Sequence, residues 1–190
     1  GWKIIDSVLT FKTEQILEQD YNYKGNRDIM YGEEEFENFE LYLEWKIPKG
    51  GNSGIYYHIK EGYGGFADMA PEYQLLDDEN YAEIHDYELK DWQLTAADYA
   101  MHVPDTTQKV LYPPGQWNSS RIIFTSNNVE HWLNDKKVLS FIPWTEQWYE
   151  KRNSGKWDNF PDYGKYKKGY IGLQDHGSNL WFRNIKIKKL

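Results

Sequence analysis

The feature that most narrows the folds open to this chain is the run from Phe39 to Ile47. There Phe39, Leu41, Leu43, Trp45 and Ile47 alternate with Glu40, Tyr42, Glu44 and Lys46. A period of two places the apolar set on one face and the polar set on the other, as in a strand half in a core and half in water. A turn follows at Pro48-Lys49-Gly50-Gly51-Asn52, after which Ile55, Tyr57 and Ile59 resume the alternation against Tyr56, His58 and Lys60. Read as neighbouring strands, the two put Tyr42, Glu44, Tyr56 and His58 on non-core faces.

Further short strands are predicted at Val8–Phe11, Glu72–Leu76, Arg121–Thr125, Glu130–Leu133, Lys137–Phe141, Tyr170–Gln174 and Leu180–Ile187, separated by Gly, Pro, Asn and Asp. Strands at this spacing predict an all-β fold, a jelly-roll sandwich of two antiparallel sheets, over a single domain spanning 1–190. Asn134-Asp135 is a hairpin turn tolerant of positive φ. Two stretches break the pattern, 77–104 and 143–168, and read as long loops over one rim. A short helix is predicted near 145–153, with Thr145 as its cap and Gly155 beyond its end. Trp144, Trp148, Trp157 and Phe160 read as a local core over the sheet, with a protein-binding surface as the alternative.

Composition trims the list of functions. Aromatic residues are 17% of the chain, with 9 Trp and 16 Tyr, which favours strands and stacking platforms. The net charge of −8 repels nucleic-acid backbones and anionic lipid, so neither is expected as a partner. With no cysteine, disulfides and thiolate chemistry are excluded. No apolar run reaches the roughly 18 residues that a spanning helix needs.

The outward faces suggest chemistry. Tyr42, Glu44, Tyr56, His58, Glu72 and Gln74 fall on polar faces, and aromatics beside carboxylates suit sugars, whose C–H faces stack while their hydroxyls need partners. Glu44 and Glu72 are the pair to weigh for two-carboxylate glycoside hydrolysis. The Glu-x-Asp-x-x-Glu pattern of laminarinase-like glucanases is missing, since Glu18-Gln19-Asp20 has no glutamate three residues on. Asp77, Asp78, Glu79, Glu83, His85 and Asp86 could offer ligands to a divalent cation such as calcium, although their spacing matches no dedicated loop.

Several segments, in order, resemble the 3-keto-disaccharide hydrolase family, a concanavalin A-like sandwich. They are Phe39–Ile47, Gly51-Asn52-Ser53-Gly54-Ile55-Tyr56-Tyr57, Pro71-Glu72-Tyr73-Gln74-Leu75-Leu76-Asp77-Asp78, Pro113–Asn118, His131-Trp132-Leu133-Asn134 and Gly172–Ile187, the last containing Gln174-Asp175-His176-Gly177. The resemblance implies cleavage of glycosides oxidised to a ketone at C3. The ketone acidifies the C2 proton, a base removes it, the glycosidic oxygen leaves C1 by β-elimination, and water adds to the enone. It also implies a secreted or periplasmic protein. On this reading Glu72 and His131 are the acid/base candidates, with Glu44 and His58 next, and Tyr56, Gln74, Trp132, Gln174 and His176 contact an oligosaccharide or glycoside. A non-catalytic carbohydrate-binding module stands as the rival. The geometry expected is specific: Glu44, Glu72, Tyr56 and Gln74 line one concave cleft, with Tyr73 and Leu75 buried beneath.

Overall fold

Alternation along Phe39–Lys46 is realised residue by residue: the odd positions are buried and the even ones half-exposed. The structure, a computed structural model, describes residues 1–190, the side chain of Gln15 excepted. Its described residues form eleven strands: β1 (Trp2–Ile5), β2 (Val8–Phe11), β3 (Ile29–Phe36), β4 (Phe39–Lys46), β5 (Asn52–Ile59), β6 (Glu72–Leu76), β7 (Asn118–Thr125), β8 (Asn128–Leu133), β9 (Lys136–Phe141), β10 (Gly169–Leu173) and β11 (Leu180–Lys189). Helices are short: α1 (Glu14–Leu17), α2 (Tyr81–His85) and α3 (Glu146–Arg152). None is long and apolar enough to cross a membrane.

The strands build a jelly-roll sandwich of two antiparallel sheets, one ordered β1-β2-β11-β4-β7-β8-β9 and the other β3-β10-β5-β6. Between them lie Phe39, Leu41, Leu43 and Trp45 from β4, Ile55 and Tyr57 from β5, Tyr73 and Leu75 from β6, and Phe124, Val129, Leu133 and Phe182. Each large side chain taken fully from water contributes about 1.5–3 kcal/mol. Two polar tips in this layer find partners, Trp45 Nε1 donating to Ser120 Oγ at 2.8 Å and Tyr73 Oη to the Trp132 carbonyl at 3.0 Å, whereas the buried Tyr57 hydroxyl has none.

Two departures from the predicted layout matter for the site. The Pro48–Asn52 turn does not close a hairpin within one sheet; β4 and β5 belong to different sheets and face each other across the core. In β5 the pairing with β10 slips between Tyr170 and Gly172, and His58 takes a positive φ of 59°. This bulge sets two β5 residues against one and turns His58 inward. The acid-rich strand β3, Ile29–Phe36, was not predicted, because Tyr31, Gly32, Glu33 and Glu34 are exposed along an edge and show no buried face.

Other local expectations are met. Asn134 and Asp135 both have positive φ, 45° and 61°, as a two-residue hairpin turn demands. Thr145 caps α3 by accepting from Trp148 N at 3.2 Å. Under α3, Trp148 and Trp157 are buried with Met101 and Tyr163, and Trp144 and Phe160 pack against them, forming the local core.

Candidate active site

The face of the four-stranded sheet turned away from the core carries a cleft of about 340 Å³. Its floor follows from strand register. Tyr56 pairs with Glu72 and Gly54 with Gln74, so on alternate positions Asn52 and Tyr56 of β5 stand beside Glu72 and Gln74 of β6. Tyr73 and Leu75, one step out of phase, are fully buried in the core. Gly54 has a steric reason: a methyl group there would collide with the Glu72 carboxyl, which lies over it. The walls come from the two long loops. Tyr81, Tyr87, Gln93 and Tyr99 rise from 77–104, Lys156 from 143–168, and Gln174 and His176 from the turn after β10.

The floor is a hydrogen-bonded array. Gln174 Nε2 donates to Tyr56 Oη at 2.6 Å, and Gln74 Nε2 donates to Asn52 Oδ1 at 3.2 Å. Gln93 Nε2 donates to Tyr87 Oη at 3.1 Å and Tyr99 Oη at 3.4 Å. The turn bearing Gln174 and His176 is pinned from below by Asp175, whose carboxylate accepts from Tyr23 Oη, from Arg27 N at 3.1 Å and from Gly177 N at 2.9 Å.

Glu72 differs from its neighbours. It is 4% exposed, and its Oε1 has no hydrogen-bond partner. Burial drives its pKa up to about 8, against the pull of the Lys156 ammonium and with a further push from the Asp28 carboxylate. At neutral pH most of it is therefore a neutral acid, yet a proton-hungry base is present in a usable fraction. A group poised this near the working pH suits proton transfer in either direction.

Other candidates lie elsewhere. Glu44 is on the opposite outer face of the sandwich, because β4 is in the seven-stranded sheet. There it accepts from Arg183 Nε at 2.6 Å and Asn184 Nδ2 at 2.8 Å. It does not share the cleft with Glu72. His131 is fully buried in the core, its Nδ1 2.9 Å from the Ala96 carbonyl oxygen and its ring against Tyr73. Its alternation with Val129 and Leu133 marks the inward face. His58, turned by the bulge, packs on Phe124 and Phe39 and contacts the Glu37 carbonyl oxygen at 3.0 Å. Burial lowers both histidine pKa values to about 4, so both are neutral at pH 7. Trp132 faces outward beside Arg121, and its Nε1 donates to Glu130 at 2.9 Å. None of these four side chains lines the cleft.

The 3-keto-alpha-glucoside-1,2-lyase-like domain matches residues 1–188. The chain belongs to this family. A Bacteroides thetaiotaomicron protein named 3-keto-disaccharide hydrolase is 36% identical over 210 aligned positions, covering 100% of this chain and 70% of its own length. A Parabacteroides distasonis crystal structure, described as a candidate glycosyl hydrolase, is 43% identical with a TM-score of 0.87, covering 100% of this chain and 84% of that one. A carbohydrate-binding module from Bacillus subtilis shares only the fold, at 10% identity and a TM-score of 0.60 over 100% of this chain and 91% of that one.

In this lyase-like domain three of the six candidate ligands, Asp77, Asp78 and His85, are already engaged. Asp77 accepts from Gly50 N at 2.8 Å and from Asn80 Nδ2 at 3.0 Å; Asp78 accepts from Thr95 N at 2.8 Å and pairs with Lys109; His85 Nε2 lies 2.9 Å from the Gly50 carbonyl oxygen. Among the described residues no three His, Asp or Glu side chains converge as metal ligands. The cleft itself pairs one carboxylate with a lysine, a poor donor set for a divalent cation, and no step below is routed through one. Sequence reasoning missed Asn52, Tyr81, Tyr87, Gln93, Tyr99 and Lys156. For the loop residues the only usable signal was that both long loops cover one rim.

Proposed function

We propose that this protein is a glycoside-cleaving enzyme acting on sugars with a ketone at C3, and that Glu72 is the base that takes the C2 proton. The observation that carries the reading is the solitary carboxylate. Among the described residues lining the cleft, Glu72 is the only Asp or Glu. Retaining and inverting hydrolysis both need two carboxyl groups flanking the scissile bond. A 3-keto sugar needs one base and stabilisation of an enolate.

In the step proposed, the C2–H bond breaks, its proton passes to Glu72, and its electron pair enters C2=C3 with the charge on the C3 oxygen. The C3 carbonyl then re-forms, C1=C2 forms and the C1–O bond breaks. The departing oxygen takes up a proton, for which the cleft offers the newly formed Glu72 acid. Adding water across C1=C2 completes net hydrolysis. Tyr56, Gln74 and Gln174 are placed to hold ring hydroxyls, and the rings of Tyr81, Tyr87 and Tyr99 to pack on sugar C–H faces. General-base help contributes about 10²–10⁴ in rate.

The rival, a binding module, needs the stacking rings and hydroxyl contacts but has no use for a buried carboxyl with an orphaned oxygen. Such a group costs stability, which favours the enzyme. The reading extends to an exported protein, checked by cell fractionation.

The test offers 3-keto-glucosides and their unoxidised parents in D₂O, followed by NMR. Release of the aglycone from keto sugars alone, with deuterium entering C2, is expected. Cleavage of ordinary glycosides with keto sugars left intact would overturn the elimination chemistry; tight sugar binding with no product over days would favour the module.

A further inference from the structure

Facing Glu72 in the same cleft is a cation that the step above leaves unused. Lys156 is the one lysine or arginine among the described residues that line the cleft. Its ammonium lies 4.2 Å from the centroid of the Tyr99 ring and 4.8 Å from that of Trp157. Among the described residues no carboxylate lies within ion-pair distance of it, whereas Lys60, Lys109 and Lys137 each have one.

The lysine is presented by a rigid platform. Trp157, its neighbour, is 2% exposed, stacks on Tyr163 at 3.9 Å with planes 8° apart, and donates from Nε1 to the Tyr99 carbonyl at 3.3 Å. Arg152 ties the same loop down through the carbonyls of Tyr163 at 3.2 Å and Phe160 at 2.7 Å. A charge held without a protein counter-ion, beside a carboxyl with an orphaned oxygen, leaves both ends of the cleft open for a substrate.

We infer that Lys156 is the electrophilic residue of the site: its ammonium receives the C3 ketone oxygen and offsets the negative charge that gathers there when the C2 proton leaves. The inference rests on the function proposed above. Glu72 takes the proton, the electron pair moves into C2=C3, and the charge appears on the oxygen that Lys156 faces. An ammonium placed where charge develops acts on the transition state more than on the bound ketone. It also separates substrates, because a C3 hydroxyl can accept the same hydrogen bond but never develops that charge.

Lys156 also sets the field at Glu72. The charged or titratable groups felt by that carboxyl are Lys156, Asp28, Asp98 and Tyr56, with the Tyr99 hydroxyl on the facing wall; His176 in turn feels Lys156. Lys156 is the cation in this set and opposes the upward shift of Glu72. Removing it must move Glu72 ionisation to higher pH.

The experiment compares wild type, Lys156→Met, Lys156→Gln and Lys156→Arg on a nitrophenyl 3-keto-glucoside, with thermal melts to confirm folding. The expected result is a fall in kcat of about 10²–10³ for the neutral variants. KM should change little, and the ascending limb of the pH profile should shift upward. Lys156→Arg should restore most of the rate and the original limb. A wild type that cleaves the keto-glucoside, with folded neutral variants keeping its kcat and its pH profile, would overturn this inference alone. A wild type that neither cleaves it nor exchanges its C2 proton would overturn the proposed function, and this inference with it.

Discussion

On the outer face of the seven-stranded sheet, every carboxylate singled out from β4 and β8 has been answered. Glu44 is held by Arg183 and Asn184, Glu40 accepts from Arg121 at 2.7 Å, and Glu130 accepts from Trp132 and from Lys137 at 3.3 Å. Lys46 sits between the rings of Trp117 and Trp181, at 5.1 and 4.7 Å. On the outer face of the four-stranded sheet, Glu72 Oε1 is left without a partner, Gln174 Oε1 likewise, and a lysine stands near without closing an ion pair. Burial raises the pKa of both glutamates, but at Glu44 the hydrogen bonds from Arg183 and Asn184 prevail and the net shift is downward. The two faces use the same residue types. They differ in whether polar groups are satisfied by the protein or kept for something else, and a function is to be sought on the second kind of face.

Breaking the comparison is direct. Glu72→Gln should lower kcat/KM on a 3-keto-glucoside by about 10²–10⁴, some 3–5 kcal/mol of barrier, whereas Glu44→Gln should leave it within about twofold. Equal losses from both would mean the faces had been assigned wrongly.

The same pair of variants should move stability in opposite directions. A carboxyl whose pKa rises to about 8 on folding destabilises the native state as pH climbs from the ordinary glutamate value of 4.5 toward 8, because only the unfolded chain ionises freely. Urea unfolding at pH 8 should therefore find Glu72→Gln more stable than wild type by about 2–4 kcal/mol, with the gap closing near pH 4.5. A variant less stable at pH 8 would show that the buried carboxyl is satisfied after all.

Between the faces, the core histidines give a third signal of the opposite sign. His58 and His131 ordinarily titrate near 6.5 and are held at about 4 in the fold, so acidification charges them only in the unfolded chain. Their stabilising contribution is whole above pH 6.5 and is lost as pH falls toward 4, about 2–3 kcal/mol for each. Calorimetry should find the melting temperature falling over that range, with protons taken up at both rings on unfolding and one released by Glu72. A flat profile would place these rings in water. The smallest effect belongs to the paired face: Glu44→Gln should cost less than ~1 kcal/mol, fading in high salt.

Most of the fold was legible in the chain. Alternation in β4 placed every core residue of that strand, Thr145 marked the start of α3, and Asn134-Asp135 marked its hairpin. About half of the site was legible too. Glu72, Gln74, Tyr56, Gln174 and His176 do meet in one cleft, and Tyr73 and Leu75 lie beneath it. What failed did so for nameable reasons. Periodicity shows that a residue points away from a core but not which sheet it points away from, so Glu44 was grouped with Glu72. A bulge adds one residue without changing composition, so His58 was read on the wrong face. Lys156 sits in an aperiodic loop, where no local pattern speaks for it.

The sequence by itself determined the strands, their turns, the aromatic load and the polar identity of the outward positions, because these follow from local periods and backbone preferences. Only the tertiary structure decided which outward carboxylate is neutralised and which is left proton-hungry. That choice depends on groups far away in the chain. Arg183 reaches Glu44 across 139 residues of sequence, whereas Glu72 meets an ammonium held off on the faces of Tyr99 and Trp157. Electrostatic character is a property of the assembled surroundings, since desolvation and pairing act through space and not along the backbone.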